Sequence, residues 1–352
     1  MSYINNVQQC APNMQAMLAD YFTGVGNGIS PAQRPFLQFV NANVAGIKQI
    51  INPTPAKVKT IELLYRRPLM ASDIDETGAP SCSGGDDLGT NLEEYTIDTT
   101  RDGGDWVRKT ERVNLGDLHC TDESFADYFT AELARLIDGV DAKVSADAAT
   151  ALALLVGNWS KDTIATYSVS GTALSLDYQD SSNNYNPARF YDLSDAVTMT
   201  GYGQQAVLFG GSKLNGLARF AQAGCCSNNG VELGQIWDQF GFASVYDLDV
   251  ATALGGQAYS AVVQPGAVTL LTFNEAGWKN GVPMILQNSF TYHFSVVSPK
   301  TGTPMDVKVT EDCDGVSISV AACTKLVGLP AHLFQETDNY GGVTFVNKVV
   351  AI

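Results

Sequence analysis

The sequence predicts an α+β chain in which one long helix follows an extended, β-patterned region. Apolar residues recur every three or four positions over residues 122–156, which is the spacing of one continuous face of an α-helix. Alternating residues within 58–118, and short apolar runs after residue 188, are typical of strands. At 1.5 Å per residue the helix would be roughly 50 Å long, well above the usual three turns.

The predicted helix has a clear start signal and one interruption. Thr121 is a suitable N-cap, and Asp122 and Glu123 lie where the helix dipole favours negative charge. Gly139 lies in the middle at a cost of about 1 kcal/mol relative to Ala, so we expect a bend or a close backbone approach there. The residues that define the buried face of this helix are Phe125, Phe129, Leu133, Val140 and Val144.

Residues 58–118 predict an extended arm. Ile61, Leu63 and Tyr65 occupy alternate positions of a strand, and two further strand-like runs flank residues 101–105, whose Asp and Gly content predicts a hairpin turn. Such an arm is marginal in water by itself, so we expect its apolar side to lie on another subunit. The candidate inter-subunit residues of the arm are Ile61, Leu63, Tyr65, Trp106, Val107 and Lys109.

Composition limits the partners of this chain. The 352 residues include 37 acidic and 21 basic side chains, a net charge of −16, which argues against tight nucleic-acid binding. Residues 1–15 do not look like a targeting segment, and no apolar run is long enough to span a bilayer, so we expect a protein made in a cytoplasm that does not contact a membrane. The seven cysteines show no regular spacing and are expected to be reduced, with a Cys313–Cys323 bridge left open.

The motifs that would carry chemistry are incomplete. The histidines at 119, 293 and 332 are isolated from one another, whereas a zinc site needs about four ligands at suitable spacing. Residues 73–84 begin like a calcium loop, but the twelfth position is Gly84 instead of Glu. Residues 201–206 have the outline of a dinucleotide fingerprint, but a helix precedes them and a strand follows, so they predict a turn. We therefore expect no active site, no cofactor and no metal.

The order of these elements resembles the major capsid proteins of tailed bacteriophages with the Hong Kong 97 fold. Residues 205–220 are similar to the strand, cap and helix of the axial domain in that family. Residues 259–271 are similar to the strand pair that follows, and residues 304–318 to a hairpin of the peripheral domain. The resemblance implies an N-terminal arm (1–57), an extended β-hairpin loop (58–118), a spine helix with the first part of a peripheral β domain (119–187), an axial α/β domain (188–288) and return strands of the peripheral domain (289–352).

The resemblance also implies a function. Such proteins form hexamers and pentamers that tile an icosahedral shell in the virion, assembled in the host cytoplasm around double-stranded DNA. The implied partners are copies of this chain, a portal, and scaffold or decoration proteins, with DNA held by confinement. Some members crosslink a loop Lys to an Asn of a neighbour; Lys109 is the nearest candidate, but no Asn partner is identifiable. The alternatives are a tail or sheath component, an encapsulin-like nanocompartment shell, and an acidic hydrolase.

Overall fold

Helices and strands are mixed along the chain, which confirms the predicted α+β class. The computed structural model describes residues 11–23, 34–42, 48–51, 58–65, 91–100, 104–114, 125–178, 186, 188–202, 206–215, 242–275, 284–285, 291–311, 315–328 and 345–352. Its helices, apart from short segments at 11–13 and 212–215, are α1 Met14–Thr23, α2 Pro35–Ala42, α3 Phe125–Leu155, α4 Lys161–Thr166, α5 Ala188–Met199 and α6 Leu248–Leu254. Its strands are β1 Lys48–Ile51, β2 Val58–Tyr65, β3 Asn91–Asp98, β4 Trp106–Asn114, β5 Val169–Ser170, β6 Ala173–Leu176, β7 Ala206–Gly210, β8 Phe242–Tyr246, β9 Tyr259–Val263, β10 Val268–Phe273, β11 Met284–Ile285, β12 Thr291–Val297, β13 Pro304–Glu311, β14 Gly315–Gly328 and β15 Val346–Ala351.

Helix α3 is the predicted long helix. It has 31 residues and is therefore about 47 Å long. The predicted N-cap at Thr121 and the first-turn acids lie outside the described residues. The apolar stripe of α3 is buried in the main core of the same chain, where it packs against β14, β4, α6 and the N-terminal helices. Its buried members are Phe129, Leu133, Leu136, Ile137, Val140, Val144, Ala148 and Leu152.

The second sheet has the order β10-β14-β13-β12-β11, with β4 also paired to β14. Alternate residues of its strands belong to opposite faces. The inner face carries Ile318 and Val320 of β14 and Val307 and Val309 of β13, all buried in the main core that includes α3. The opposite side is called the outer face below.

The first sheet, β1-β2-β3, differs from the predicted arm. The strands on either side of residues 101–105 do not pair: β3 pairs with β2 in the first sheet, whereas β4 pairs with β14 in the second. The predicted hairpin is therefore wrong. The reason is that β14 has 14 residues and offers β4 a nine-residue pairing partner within the body of the subunit.

The third sheet has the order β5-β6-β15-β9-β7-β8. Strand β15 lies between β6, to which it is parallel, and β9, to which it is antiparallel. This sheet joins strands from the predicted ranges 119–187, 188–288 and 289–352, so its strands do not follow the predicted division. The predicted strand pair at 259–271 is likewise split, because β9 belongs to the third sheet and β10 to the second.

The sequence left a Cys313–Cys323 bridge open and favoured reduced cysteines, and Cys323 is reduced. Cys313 lies outside the described residues, but Cys323 is a free, fully buried thiol. Gly315 and Cys323 are separated by eight strand residues, about 26 Å, and a disulfide requires Cα atoms within about 7 Å. Burial raises the pKa of the Cys323 thiol, which keeps it in the unreactive neutral form.

Of the two roles expected for Gly139, a bend or a close backbone approach, the close approach is not observed. It is exposed on α3, and a Cβ added there would meet nothing within 4 Å. We predict that Gly139→Ala raises the free energy of unfolding by about 1 kcal/mol, because Ala loses less backbone entropy in a helix. Urea unfolding of the subunit would measure this change.

The matched control is Gly211→Ala. A Cβ at Gly211 would lie 2.0 Å from the carbonyl oxygen of Gln257, so this substitution must displace backbone and lower the stability. If Gly139→Ala also lowered the stability, α3 would depend on Gly139 in a way that its surroundings do not indicate.

Candidate assembly surfaces

The predicted buried face of α3 lies inside the core of the subunit. Phe129, Leu133, Val140 and Val144 are at most 2% exposed within one chain, and the side chain of Phe125 lies outside the described residues. A charged residue at 133 or 140 would disrupt the subunit core itself, so such variants do not report on contacts between subunits.

The part of the arm around Ile61 and Ile97 is also covered by residues of the same chain. Ile61 of β2 and Ile97 of β3 are completely buried against Phe273, Cys323 and two further residues of the second sheet, Leu271 and Val327. The expectation that Ile61 lies on another subunit is therefore wrong. The cause is that β10 and the last part of β14 present an apolar strip on the outer face, and the first sheet covers it.

The other predicted arm residues have different surroundings. Trp106 is half-buried and packs edge-to-face on Phe273, and Val107 packs on the main core. Lys109 is exposed and forms an ion pair of 3.1 Å with Glu111, whose pKa is lowered by the hydrogen bond and charge of Lys109. The side chains of Leu63 and Tyr65, near the end of β2, lie outside the described residues.

The remainder of the outer face is polar and exposed. Pairing across β4, β14, β13 and β12 sets three rows of side chains on this face. The rows are Arg112–Ser317–Thr310–Thr291, Thr110–Ser319–Lys308–His293, and Arg108–Ala321–Asp306–Ser295. Arg108, Thr110, Arg112, Lys308 and Ser295 are exposed, whereas Asp306 is buried. The outer face therefore offers cations and hydroxyl groups to solvent.

The carboxylate of Asp306 contacts two groups of its own subunit. One carboxylate oxygen lies 3.4 Å from Nε2 of His293, and the other accepts a hydrogen bond of 2.8 Å from the backbone N–H of Glu275. Both carboxylate oxygens of Asp306 therefore have partners within the subunit.

The other predicted candidates for a metal site cannot be placed, since His119 and His332 lie outside the described residues, as do residues 73–84.

A polar cluster on α3 fixes the turn 298–303 and the N-terminal helices. Buried Asp141 accepts hydrogen bonds from Ser298 Oγ at 2.5 Å and Thr301 Oγ1 at 2.8 Å. One turn earlier, Asp138 accepts from Lys300 Nζ at 2.6 Å and from buried Arg34 at 3.0 Å. We call these six side chains the α3 cluster. They join α3 to the β12–β13 turn and to the start of α2.

Further side-chain bonds extend this attachment. The Gln15 side chain forms two hydrogen bonds with the backbone of Val297, and Asn41 Nδ2 donates to Thr301 O at 2.7 Å. Asp247 caps α6 through Val250 N and also accepts the N–H of Phe36 in the first turn of α2. A single carboxylate therefore holds two helix N-termini, and its burial raises its pKa.

The C-terminal strand is fixed in a similar way. Tyr202 Oη donates to Asn347 Oδ1, and the Asn347 amide donates to the carbonyl oxygens of Gly157 and Asn158. Trp159 Nε1 donates to Lys348 O at 3.1 Å. These contacts hold β15 against the segment that leaves α3.

Sequence reasoning missed the α3 cluster. A signal was present, because Asp141 and Ser145 interrupt the apolar stripe of α3, and the run Ser298–Thr303 is rich in hydroxyls. The partners of these residues are distant in sequence, so spacing alone did not connect them.

Among the described residues, no group of three His, Cys, Asp or Glu side chains is placed to hold a metal, and no helix is long and apolar enough to cross a membrane.

The two carboxylates of the α3 cluster have opposite pKa shifts. Burial raises the pKa of Asp141, and the hydrogen bonds from Ser298 and Thr301 only partly offset it. Burial also opposes ionisation of Asp138, but the hydrogen bond from Lys300 and the charges of Arg34 and Lys300 outweigh it, so its pKa is lowered. The ordinary value for both is 3.8.

We predict opposite pH dependence for the two Asn variants. The stabilisation from Asp138 is present above pH 3.8 and is lost as the pH falls through its lowered pKa. Asp138→Asn should therefore cost about 1 kcal/mol at neutral pH, since the side chain is 35% exposed, and less in acid. Protonation of Asp141 favours the folded state below pH 3.8, and this gain is lost as the pH rises through its raised pKa.

Asp141→Asn should consequently be most costly in acid and least costly at neutral pH. Chemical unfolding of wild type and both variants from about pH 3 to 7 measures the two trends. Parallel trends for the two variants would contradict this account of the cluster.

No family model matches the chain, and no curated protein matches it. Among solved structures, the chain is similar to the capsid of cyanophage P-SCSP1u, with 9% identity, 94% of this chain and 92% of that chain covered, and a TM-score of 0.42. It is similar to the capsid of Ralstonia phage GP4 at 11% identity, with 85% of each chain covered and a TM-score of 0.38. It is also similar to a chain of the satellite phage P4 procapsid at 10% identity, with 98% of each chain covered and a TM-score of 0.32.

Proposed function

We propose that this chain is a major capsid protein that self-assembles as hexamers and pentamers into an icosahedral shell enclosing phage double-stranded DNA. The observation that carries the proposal is the β2–β3 arm. Ile61 and Ile97 anchor it to the body, but the strands continue to Tyr65 and Asn91, about 13 Å further. Strand β1 also pairs with this part of β2, which makes the far end a single layer of three strands. A single sheet layer must bury its apolar face against another element, so we expect the far end of the arm to need a surface from another copy.

The part of the subunit built around α3 also supports a capsid function. Helix α3 runs about 47 Å through the main core and is tied by side chains to the N-terminal helices, to turn 298–303 and to α6. A shell of rings needs a subunit that keeps its shape in several slightly different surroundings. A rigid body with a projecting arm meets that requirement.

The charge of the chain fits the contents of the proposed shell. A net charge of −16 opposes close contact with DNA phosphates, so packaged DNA would be held by confinement. The further proposed partners are a portal and scaffold or decoration proteins, with assembly in the host cytoplasm.

We predict that assembly changes amide hydrogen exchange in only one part of the arm. Amides next to Ile61 and Ile97 should be protected in the free subunit already, because these residues are buried there. Residues 62–65 and 91–94 should exchange faster in the free subunit and slow markedly in particles. Equal exchange of these residues in both states would contradict a role for the arm in assembly.

We also predict that the purified chain forms closed particles of megadalton mass. Mass photometry and negative-stain microscopy distinguish the candidates, since a tail or sheath component forms tubes and an enzyme forms a small oligomer. The Gly139→Ala variant should form the same particles, because Gly139 is exposed and meets no neighbour. Tubes, or a small oligomer that turns over a substrate, would contradict the capsid proposal.

A further inference from the structure

The two N-terminal helices pack on the subunit without joining any of its sheets. Among the described residues, α1 and α2 add no strand to the three sheets. We call α1, α2 and the preceding Arg34 the latch, and we call α3, α6 and the second and third sheets the body. The latch can therefore leave the body without breaking a strand pair. Its fully buried apolar side chains, which complete the main core, are Met14, Leu18, Phe36, Leu37 and Val40.

Polar side chains of α2 bind the turn 298–303 of the body. Gln38 Nε2 donates a hydrogen bond of 2.7 Å to Lys300 O. Asn41 Nδ2 donates a second bond, also of 2.7 Å, to Thr301 O. Both bonds end on carbonyl oxygens of the turn, so water can replace the two amide donors once the latch has left.

The turn 298–303 is held in shape by bonds that do not involve the latch. Two backbone hydrogen bonds of 2.9 Å close it. Buried Asp141 of α3 accepts the hydroxyl groups of Ser298 and Thr301. The surface that receives α2 is therefore preformed in the body.

The two carboxylates that hold the latch each have a second partner within the body. Asp138 accepts from Arg34 of the latch, but it also accepts from Lys300 Nζ at 2.6 Å. One oxygen of Asp247 accepts the N–H of Phe36 at 3.0 Å, and the other accepts a backbone N–H in the first turn of α6, also at 3.0 Å. Opening therefore leaves neither carboxylate without a partner, which avoids the large penalty of an orphaned buried charge.

The latch also limits where the first sheet can lie. Residues 43–47 separate the end of α2 at Ala42 from the start of β1 at Lys48, and this length of chain reaches at most roughly 20 Å. Strand β1 is an edge strand of the first sheet and pairs with β2 of the arm. A closed latch therefore keeps β1 near α2, whereas an open latch does not.

We propose that the latch opens and closes as one unit on a body that stays folded, and that only subunits with a closed latch join a growing shell. Such an opening is sub-global, because one contiguous unit separates while the rest keeps its structure. In the open state β1 is no longer held near α2, so a second copy meets an arm without a fixed direction. The part of this inference that concerns assembly rests on the proposed function, and the part that concerns opening does not.

Hydrogen exchange of the full-length subunit tests the opening. Amides of α1 and α2 should exchange together, and about tenfold or more faster than those of residues 133–144 in α3. Gln38→Ala with Asn41→Ala removes bonds to the turn and should speed exchange in both helices about tenfold, with α3 unchanged. The control pair, Thr150→Ala with Thr198→Ala, removes two exposed side-chain bonds elsewhere and should leave the latch unchanged.

A disulfide can hold the latch closed. A Cβ added at Gly302 would lie 3.5 Å from Cβ of Asn41, which is within the roughly 3.5–4.5 Å that a disulfide allows. Asn41→Cys with Gly302→Cys should form this bond on oxidation and slow exchange of both latch helices about tenfold or more. The same variant kept reduced is the matched control, because it shares the strain of a side chain at φ +75°. Oxidised wild type controls for the native cysteines.

A second variant tests the link to assembly. Gln15→Ala, Arg34→Ala and Gln38→Ala are added to the two cysteine substitutions, which removes most of the polar bonds of the latch. In the reduced state this protein should be mostly open and give particles at about one tenth of the wild-type yield. Oxidation closes the latch again and should return the yield to near that of wild type. Recovery on oxidation would show that the loss comes from opening and not from misfolding.

The outcomes separate this inference from the proposed function. Uniform exchange of α1, α2 and α3, or a disulfide that slows none of them, would overturn the latch. Equal particle yields in both redox states of the five-substitution variant would overturn its link to assembly, as would loss of particles when the two-cysteine variant is oxidised. If wild type forms no particles, the proposed function and this link fail together, and hydrogen exchange still decides whether the latch opens.

Discussion

The structure depends on burial of one continuous apolar stripe on α3. The stripe faces the inner side of the second sheet and extends to α6 and the N-terminal helices, so elements from both ends of the described chain share one core. Each fully buried aliphatic side chain contributes about 1.5–3 kcal/mol, and the stripe has eight buried members. This contact therefore holds the second sheet, α6 and the N-terminal helices together.

Polar residues on the same helix determine how those elements are oriented. Apolar contacts resist separation but permit sliding, whereas hydrogen bonds fix positions. Asp138, Asp141 and Ser145 lie three and four residues apart and hold Lys300, turn 298–303 and Asp249 of α6. The opposite pKa shifts of Asp138 and Asp141 follow from what each one holds, since Asp138 meets two cations and Asp141 meets neutral hydroxyls.

The sequence predicted elements better than it predicted their partners. The long helix, most strands and the α+β class follow from local periodicity, which acts over a few residues and is readable in one chain. The pairing of β4 with β14 and of β15 with β6 and β9 was not predicted, because these partners are far apart in sequence and periodicity carries no information about them. For the same reason Ile61 was assigned to another subunit, although its apolar neighbours Phe273 and Cys323 lie in its own chain. The cationic outer face was missed because its members are distributed over four strands.

The position of β15 has a consequence for synthesis of the protein. Strands β6 and β9 leave the ribosome long before residues 346–351, yet both bond to β15, which lies between them. The third sheet therefore remains open until the last of these strands is made, and contacts between residues so distant in sequence form slowly. A nascent chain therefore lacks a finished third sheet until residue 351 has left the ribosome. In the proposed shell, this delay favours subunits with a finished third sheet as the units that join.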